Sequence, residues 1–142
     1  MREKLSAAWF KLVVPAQAAS LFLAAFIHTG IGVPGVHEPA IAGAVFGESV
    51  CGLALLAGVF TMFAARDGWA RMMLAGHILA LAGVILGIII TSSDGTVTTA
   101  NAIYHRILLV TVGTGLLLTV FEDGLFGGRD TRSESARSGA QS

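Results

Sequence analysis

Several ionisable side chains lie inside long apolar stretches of this 142-residue chain, where such groups are costly unless they find a partner or a wet cavity. They are one carboxylate, three imidazoles and one guanidinium: Glu48, His28, His77, His105 and Arg106. A histidine beside a carboxylate relays protons or hydrogen-bonds a ligand, and imidazole is also a common ligand of haem iron and other metals. We therefore expect the functional site to be built from these residues.

The surrounding sequence is typical of a membrane protein. Hydrophobic residues make up 54% of the chain and charged residues only 13%, compared with about 25% charged residues in soluble domains. Each of the apolar stretches meets the requirement of about 20 residues for a membrane-spanning helix, and none shows the alternation of a transmembrane barrel. The stretches are residues 12–33, 40–64, 70–90 and 99–120, within a membrane domain of residues 12–126. Because the connections are short, the sequence predicts an all-α, up-down-up-down four-helix bundle.

The distribution of basic residues predicts the orientation. Lys and Arg occur before the first stretch, between the second and third, and after the fourth: Arg2, Lys4, Lys11, Arg66, Arg71, Arg129, Arg132 and Arg137. The loops 34–39 and 91–98 have none, which predicts a multi-pass protein of the cell membrane with both termini cytoplasmic. Residues 1–11 form a cytoplasmic segment, and residues 127–142, rich in Gly, Ser and charges, are predicted to be a disordered cytoplasmic tail.

Helix geometry predicts that most of the polar residues share one layer. At about 1.5 Å per residue, Glu48, His105 and Arg106 lie roughly 10–12 Å below the outer boundary, with His28 about one turn below it. His77 lies nearer the cytoplasmic side and belongs to a separate position, either structural or in contact with a cofactor. His37, in a loop, is expected to be hydrated.

Rows of small residues indicate where helices pack closely and which faces point inward. These rows are Gly43, Gly47 and Cys51 on the second stretch, and Gly76, Ala80, Gly83 and Gly87 on the third. Cys51 is the only cysteine, so no intrachain disulfide forms, and we expect it to be a small packing residue. On the fourth stretch, Thr98, Asn101 and His105 form one polar stripe.

Three chemistries suit the polar layer. In a quinone or proton-coupled site, Glu48 accepts or relays a proton, His105 hydrogen-bonds or ligates, and Arg106 holds the carboxylate or an anionic group. In a b-type haem site, His28 and His105 ligate the iron and Arg106 meets a propionate. In a metal site, His28, Glu48 and His105 coordinate zinc, copper or iron, although the identity of any metal stays open.

A structural interpretation remains beside these. Glu48 and Arg106, at matched depth, would neutralise each other as a buried ion pair, and His105 would bond Glu48 or a backbone carbonyl. The protein would then be a non-catalytic accessory subunit, docked on a larger membrane complex or forming a homo-oligomer. The only other partner expected is the lipid bilayer. No nucleotide-binding or hydrolase motif occurs, and no basic-aromatic patch points to nucleic acid.

The second stretch resembles the DoxX-like family of small four-helix membrane proteins. The similarity lies in residues 47–58, GESVCGLALLAG, and in Leu21-Phe22-Leu23 leading to His28, and it extends over about the first two-thirds of the chain. The resemblance implies a membrane partner of redox systems, in some members linked to thiosulfate oxidation with quinone as acceptor. Glu48 matches the family's membrane glutamate and His28 its first-span polar residue, whereas Tyr104-His105-Arg106 has no counterpart. The leading prediction is a redox-associated membrane protein with a quinone- or cofactor-contacting site.

Overall fold

The computed structural model describes the backbone of residues 8–31, 38–64, 68–94 and 98–138. Side chains are described up to Phe121, except at positions 91, 93 and 94. His37, the N-terminal residues 1–7 and the last four residues of the chain lie outside the described residues, as do parts of all three loops.

The described backbone is all-α and contains no strand. Its helices are α1 (Trp9–Ile27), α2 (Ala42–Phe63), α3 (Trp69–Asp94) and α4 (Thr99–Ser138). Each contains a segment long and apolar enough to cross a membrane, which confirms the prediction of four helices of membrane-spanning length and composition.

Helix α1 begins with a π-helical turn, Trp9–Val13, and continues as an α-helix over Val14–Ile27. Pro15 accounts for this turn, because proline lacks the N–H that would bond the carbonyl of Lys11 and its ring crowds that carbonyl. The preceding residue, Val14, instead donates its N–H to the Trp9 carbonyl, five residues back. A wider turn is a common way for a helix to accommodate such a disruption.

Helix α1 ends at Ile27, six residues before the predicted boundary at Val33. The chain turns at His28–Gly30, where Gly30 has a φ of +81°, a conformation that glycine adopts at no steric cost. The carbonyl of His28 then accepts a hydrogen bond from Ile41 N, at 3.0 Å, just before α2 begins. His28 therefore lies at the junction between α1 and α2 rather than one turn inside a longer helix.

Helix α4 begins beside the same junction. The Thr98 hydroxyl caps it by accepting from Asn101 N at 3.2 Å, and donates to the Glu38 carboxylate just before α2. These contacts place the end of α1 and the beginnings of α2 and α4 together, at what we term the His28 end of the bundle. At the opposite end, Phe10 of α1 meets Trp69 of α3 edge to face, with ring centroids 5.9 Å apart.

The helical backbone of α4 continues to Ser138. Disorder of the tail, residues 127–142, stays a prediction from its composition.

Helix packing mainly joins neighbours in sequence: α1 with α2, α2 with α3, and α3 with α4, whereas α1 and α4 meet at only a few positions. Glycines let α2 and α3 approach closely. A Cβ at Gly76 would lie 2.7 Å from the Ala54 carbonyl, and one at Gly58 would lie 2.9 Å from Met73 Cα. Many large apolar side chains remain exposed on the outside of the bundle, including Phe46, Phe60 and Val110. Such a surface is suited to contact with lipid.

Candidate functional site

A cavity of about 220 Å³ lies at the His28 end, between all four helices. Four polar residues line it: His28 directly after α1, Glu48 on α2, and Asn101 and His105 on α4. Helix α3 contributes only apolar side chains and glycines to the lining. The predicted layer of His28, Glu48 and His105 therefore corresponds to one cavity.

The centre of the site is a hydrogen bond between His28 and Glu48. The imidazole Nδ1 lies 3.0 Å from Glu48 Oε2, and both side chains are nearly inaccessible, at 5% and 10% exposed. The pair forms because α1 ends at Ile27, and the turn that follows places the His28 imidazole beside α2. A carboxylate buried at this depth is tolerated only with such a partner.

His105 faces the same cavity but has a different hydrogen-bond partner. Its Nδ1 donates to the carbonyl of Asn101, one turn earlier on α4, at 3.0 Å. That bond leaves Nε2 as the acceptor nitrogen, and this atom lies against α3, where a Cβ at Gly87 would come within 2.8 Å of it. The ring also stacks edge to face on Tyr104, with centroids 5.5 Å apart. His105 is thus held in a fixed orientation without bonding Glu48.

Two polar atoms of the cavity-lining residues are buried and have no partner in the described part of the chain: His28 Nε2 and Asn101 Oδ1. His28 is 4% and Asn101 8% exposed. A buried polar atom left without a hydrogen bond costs about 1–3 kcal/mol, so the pair favours occupation of the cavity by a group that supplies hydrogen bonds. Asn101 belongs to the polar stripe that also contains His105, but it is not among the site residues predicted from the sequence.

Arg106 does not belong to the site. Its side chain is exposed, and the described residues include no ion pair between it and Glu48. The predicted pairing fails because Arg106 follows His105 by one residue, a rotation of about 100° around α4, which turns it away from the helices that enclose Glu48. Matching the two residues by depth alone therefore predicted the wrong partner for Glu48. The roles predicted for Arg106 are not supported by its position.

His77 is also separate from the cavity. It is fully buried on α3, donates from Nδ1 to the Met73 carbonyl at 2.8 Å, and is not among the cavity-lining residues. Its other nitrogen faces α4, where a Cβ at Gly115 would clash with the ring. The predicted separate position for His77 agrees with this arrangement, and the contacts are those of a packing residue between α3 and α4.

The described residues contain no cluster of three histidine, cysteine or acidic side chains that could hold a metal ion. His28, Glu48 and His105 share the cavity, but His105 is directed to its own helix backbone and to Gly87, so the predicted metal triad does not form. The cavity is also small. A cavity of roughly 150 Å³ holds a benzene-sized ring, and pockets for larger ligands span about 300–1,000 Å³. The space therefore suits one substituted six-membered ring and does not suit a porphyrin.

The glycines of the predicted packing rows divide into two groups. On α3, a Cβ at Gly83 would strike the Cys51 sulfur, so this glycine permits close packing as predicted. On α2, a Cβ at Gly43 or Gly47 would meet nothing within 4 Å, although both residues line the cavity. Cys51 itself contacts the Leu79 carbonyl through Sγ at 3.7 Å and also faces the cavity, a position that its prediction as a packing residue did not include.

Comparison of the chain with family models, curated proteins and solved structures gave no match. This result neither supports nor contradicts the resemblance to the DoxX-like family. The function is therefore argued from the cavity and its residues.

Proposed function

We propose that this protein binds a lipid-soluble quinone in the cavity beside His28 and Glu48 and thereby acts as a partner of a membrane redox system. It would be a multi-pass protein of the cell membrane with up-down-up-down helices, cytoplasmic termini and the cavity in the outer half of the bilayer. The orientation rests on the distribution of Lys and Arg, which avoids the two loops at the His28 end.

The observation that carries the proposal is the pair of unpartnered atoms, His28 Nε2 and Asn101 Oδ1, in a cavity of single-ring size. A quinone has carbonyl oxygens that accept hydrogen bonds, and its reduced form has hydroxyl groups that donate them. His28 Nε2–H would donate to the carbonyl of the oxidised ring, and Asn101 Oδ1 would accept from a hydroxyl of the reduced ring. The otherwise apolar lining favours an uncharged ring over an ionic ligand.

The His28–Glu48 pair supplies a proton relay for this chemistry. Conversion of a quinone to a hydroquinone requires two electrons and two protons, and the electrons would come from an associated redox protein. The imidazolium would give its Nε2 proton to one ring oxygen while its Nδ1–H stays on the Glu48 carboxylate. The second proton would come from water at the outer surface, which would also restore the imidazolium. The resemblance to the DoxX-like family adds the same expectation of an association with redox chemistry.

The competing proposal is an accessory subunit whose polar layer only joins helices. The specific observation in its favour is that Glu48 is already satisfied by His28 without any ligand. The exposed apolar helix surfaces would then serve to dock on a larger complex. The two proposals differ in whether the unpartnered atoms of the cavity have a ligand.

Thermal unfolding in detergent distinguishes them, with decylubiquinone as the probe and 1-decanol as a control for the hydrocarbon chain. A ligand at about 100 times its Kd stabilises the folded protein by roughly 2.7 kcal/mol. We expect this stabilisation with decylubiquinone, its loss in Asn101→Leu, and no change in Arg106→Gln, whose side chain is exposed. Equal responses to decylubiquinone and decanol would contradict quinone binding and favour the accessory subunit.

A further inference from the structure

The exposed lining residues of the cavity all lie on α2 and α3, which places its opening between these two helices. Three of its lining residues are exposed: Gly43 on α2, and Leu86 and Ile90 on α3. Leu86 and Ile90 are four residues apart and therefore lie one above the other on α3, forming one apolar edge of this opening. Gly43 and Gly47 have the same spacing on α2 and form the other edge.

Gly43 and Gly47 on α2 are not explained by packing. Glycine inside a helix is less favourable than alanine, and glycine in membrane helices commonly permits close contact between backbones. Gly76, Gly83 and Gly87 serve that purpose, because an added Cβ at each would come too close to a neighbouring helix. At Gly43 and Gly47 an added Cβ would meet no atom within 4 Å. The absence of a side chain at these positions therefore keeps the space beside them open.

We infer that this opening between α2 and α3 is a lateral access route from the lipid, and that the ligand is a ring with a long hydrocarbon tail that leaves the cavity through it. The inference rests on the proposed quinone site and specifies which members of that class it accepts. The ring lies beside His28 and Glu48, and the tail passes Gly43 and Gly47 and lies along Leu86 and Ile90. An opening with apolar edges admits a hydrocarbon chain, and a charged ligand from water would lose its hydration there.

Gly43 does not serve simply to enlarge the part of the cavity that holds the ring. The unpartnered atoms of His28 and Asn101 mark where the polar end of the ligand lies, and Gly43 is five residues before Glu48 and already exposed. A side chain at Gly43 would therefore obstruct the opening and the tail while leaving the ring's polar contacts unchanged.

The test compares decylubiquinone with the same dimethoxybenzoquinone ring carrying a methyl group in place of the decyl tail. Affinities are measured by titration in detergent and expressed per mole fraction in the micelle, which removes the effect of partition. We expect the wild type to bind the decyl compound about tenfold more tightly, since the tail gains close packing against the helix edges that the micelle does not provide. Gly43→Leu should lose about that factor for the decyl compound and leave the methyl compound unchanged.

Gly113→Leu is the matched control, because Gly113 also lies inside a helix with open space around its Cβ position and is not a lining residue of the cavity. It should bind both compounds as the wild type does, and its unfolding temperature shows what the substitution costs the fold. If Gly43→Leu binds both compounds like the wild type while Asn101→Leu loses both, the ring site stands and the lateral route is wrong. If the wild type binds neither compound, the proposed function fails together with the inference.

Discussion

The hydrogen bond between His28 and Glu48 allows the most quantitative prediction. Replacing either residue by leucine leaves the other as a buried polar or charged group without its partner. Replacing both leaves no such group. Loss of one member of a buried ionic pair costs about 3–5 kcal/mol, whereas substitution of both by apolar side chains is often neutral. We therefore expect two strongly destabilised single variants and a double variant that recovers much of the loss.

The coupling energy follows from the geometry of the pair. Hydrogen bonds between neutral side chains within membrane proteins average about 0.6 kcal/mol, and hydrogen bonds to charged groups contribute about 1.5–3 kcal/mol. The Nδ1–Oε2 distance is 3.0 Å and both side chains are at most 10% exposed, which places this bond in the stronger class. Because the double variant also removes the unpaired buried group that each single variant leaves, we expect a coupling free energy of about 3 kcal/mol or more from a double-mutant cycle.

The assay is reversible unfolding of His28→Leu, Glu48→Leu and the double variant in detergent micelles. A parallel cycle with Arg106→Leu and Glu48→Leu is the control, because these two residues make no ion pair among the described contacts. The control losses should add to within about 0.5 kcal/mol. Additive losses in the His28 cycle, or strong coupling in the Arg106 cycle, would refute the pairing described here.

Further variants test the helix contacts and the cavity. Gly115→Ala should destabilise the protein by about 1–3 kcal/mol, because its Cβ would strike the His77 ring. Gly113→Ala, which has open space around its Cβ position, should stabilise the helix by up to about 1 kcal/mol. Unfolding free energies that change in the same direction for both variants would contradict the packing at His77. Cys51 is the only cysteine and lines the cavity, so decylubiquinone should slow its alkylation by N-ethylmaleimide, measured by mass spectrometry. Alkylation that proceeds equally fast with decylubiquinone and with decanol would show that the ring does not reach Cys51.

The four helices could be predicted from the sequence because the length and apolar character of each stretch decide whether it spans a membrane. The shared layer of the polar residues could also be predicted from their positions along the helices, and His28, Glu48 and His105 do line one cavity. Depth does not determine which side of a helix faces which neighbour, however. The partner of Glu48 was therefore predicted incorrectly: Arg106 has the right depth but the wrong direction.

Two further features depended on local backbone structure that composition does not reveal. The turn at Gly30 ends α1 early and brings His28 to Glu48, although the apolar run continues beyond it. Gly43 and Gly47 have the spacing of a packing row, and only the positions of neighbouring atoms distinguish them from Gly83 and Gly87. A spacing rule identifies small residues, and the three-dimensional structure decides whether the small size serves contact or open space.

The proposed function requires that a quinone ring lies in the cavity beside His28 and Glu48. Photo-crosslinking of the membrane-embedded protein with an azido-ubiquinone, followed by peptide mapping, tests it most directly. We expect adducts on cavity-lining residues such as Glu48, Gly83 and His105, and competing decylubiquinone should reduce them. Adducts confined to outward-facing residues such as Val110 and Leu117, unaffected by the competitor, would contradict it.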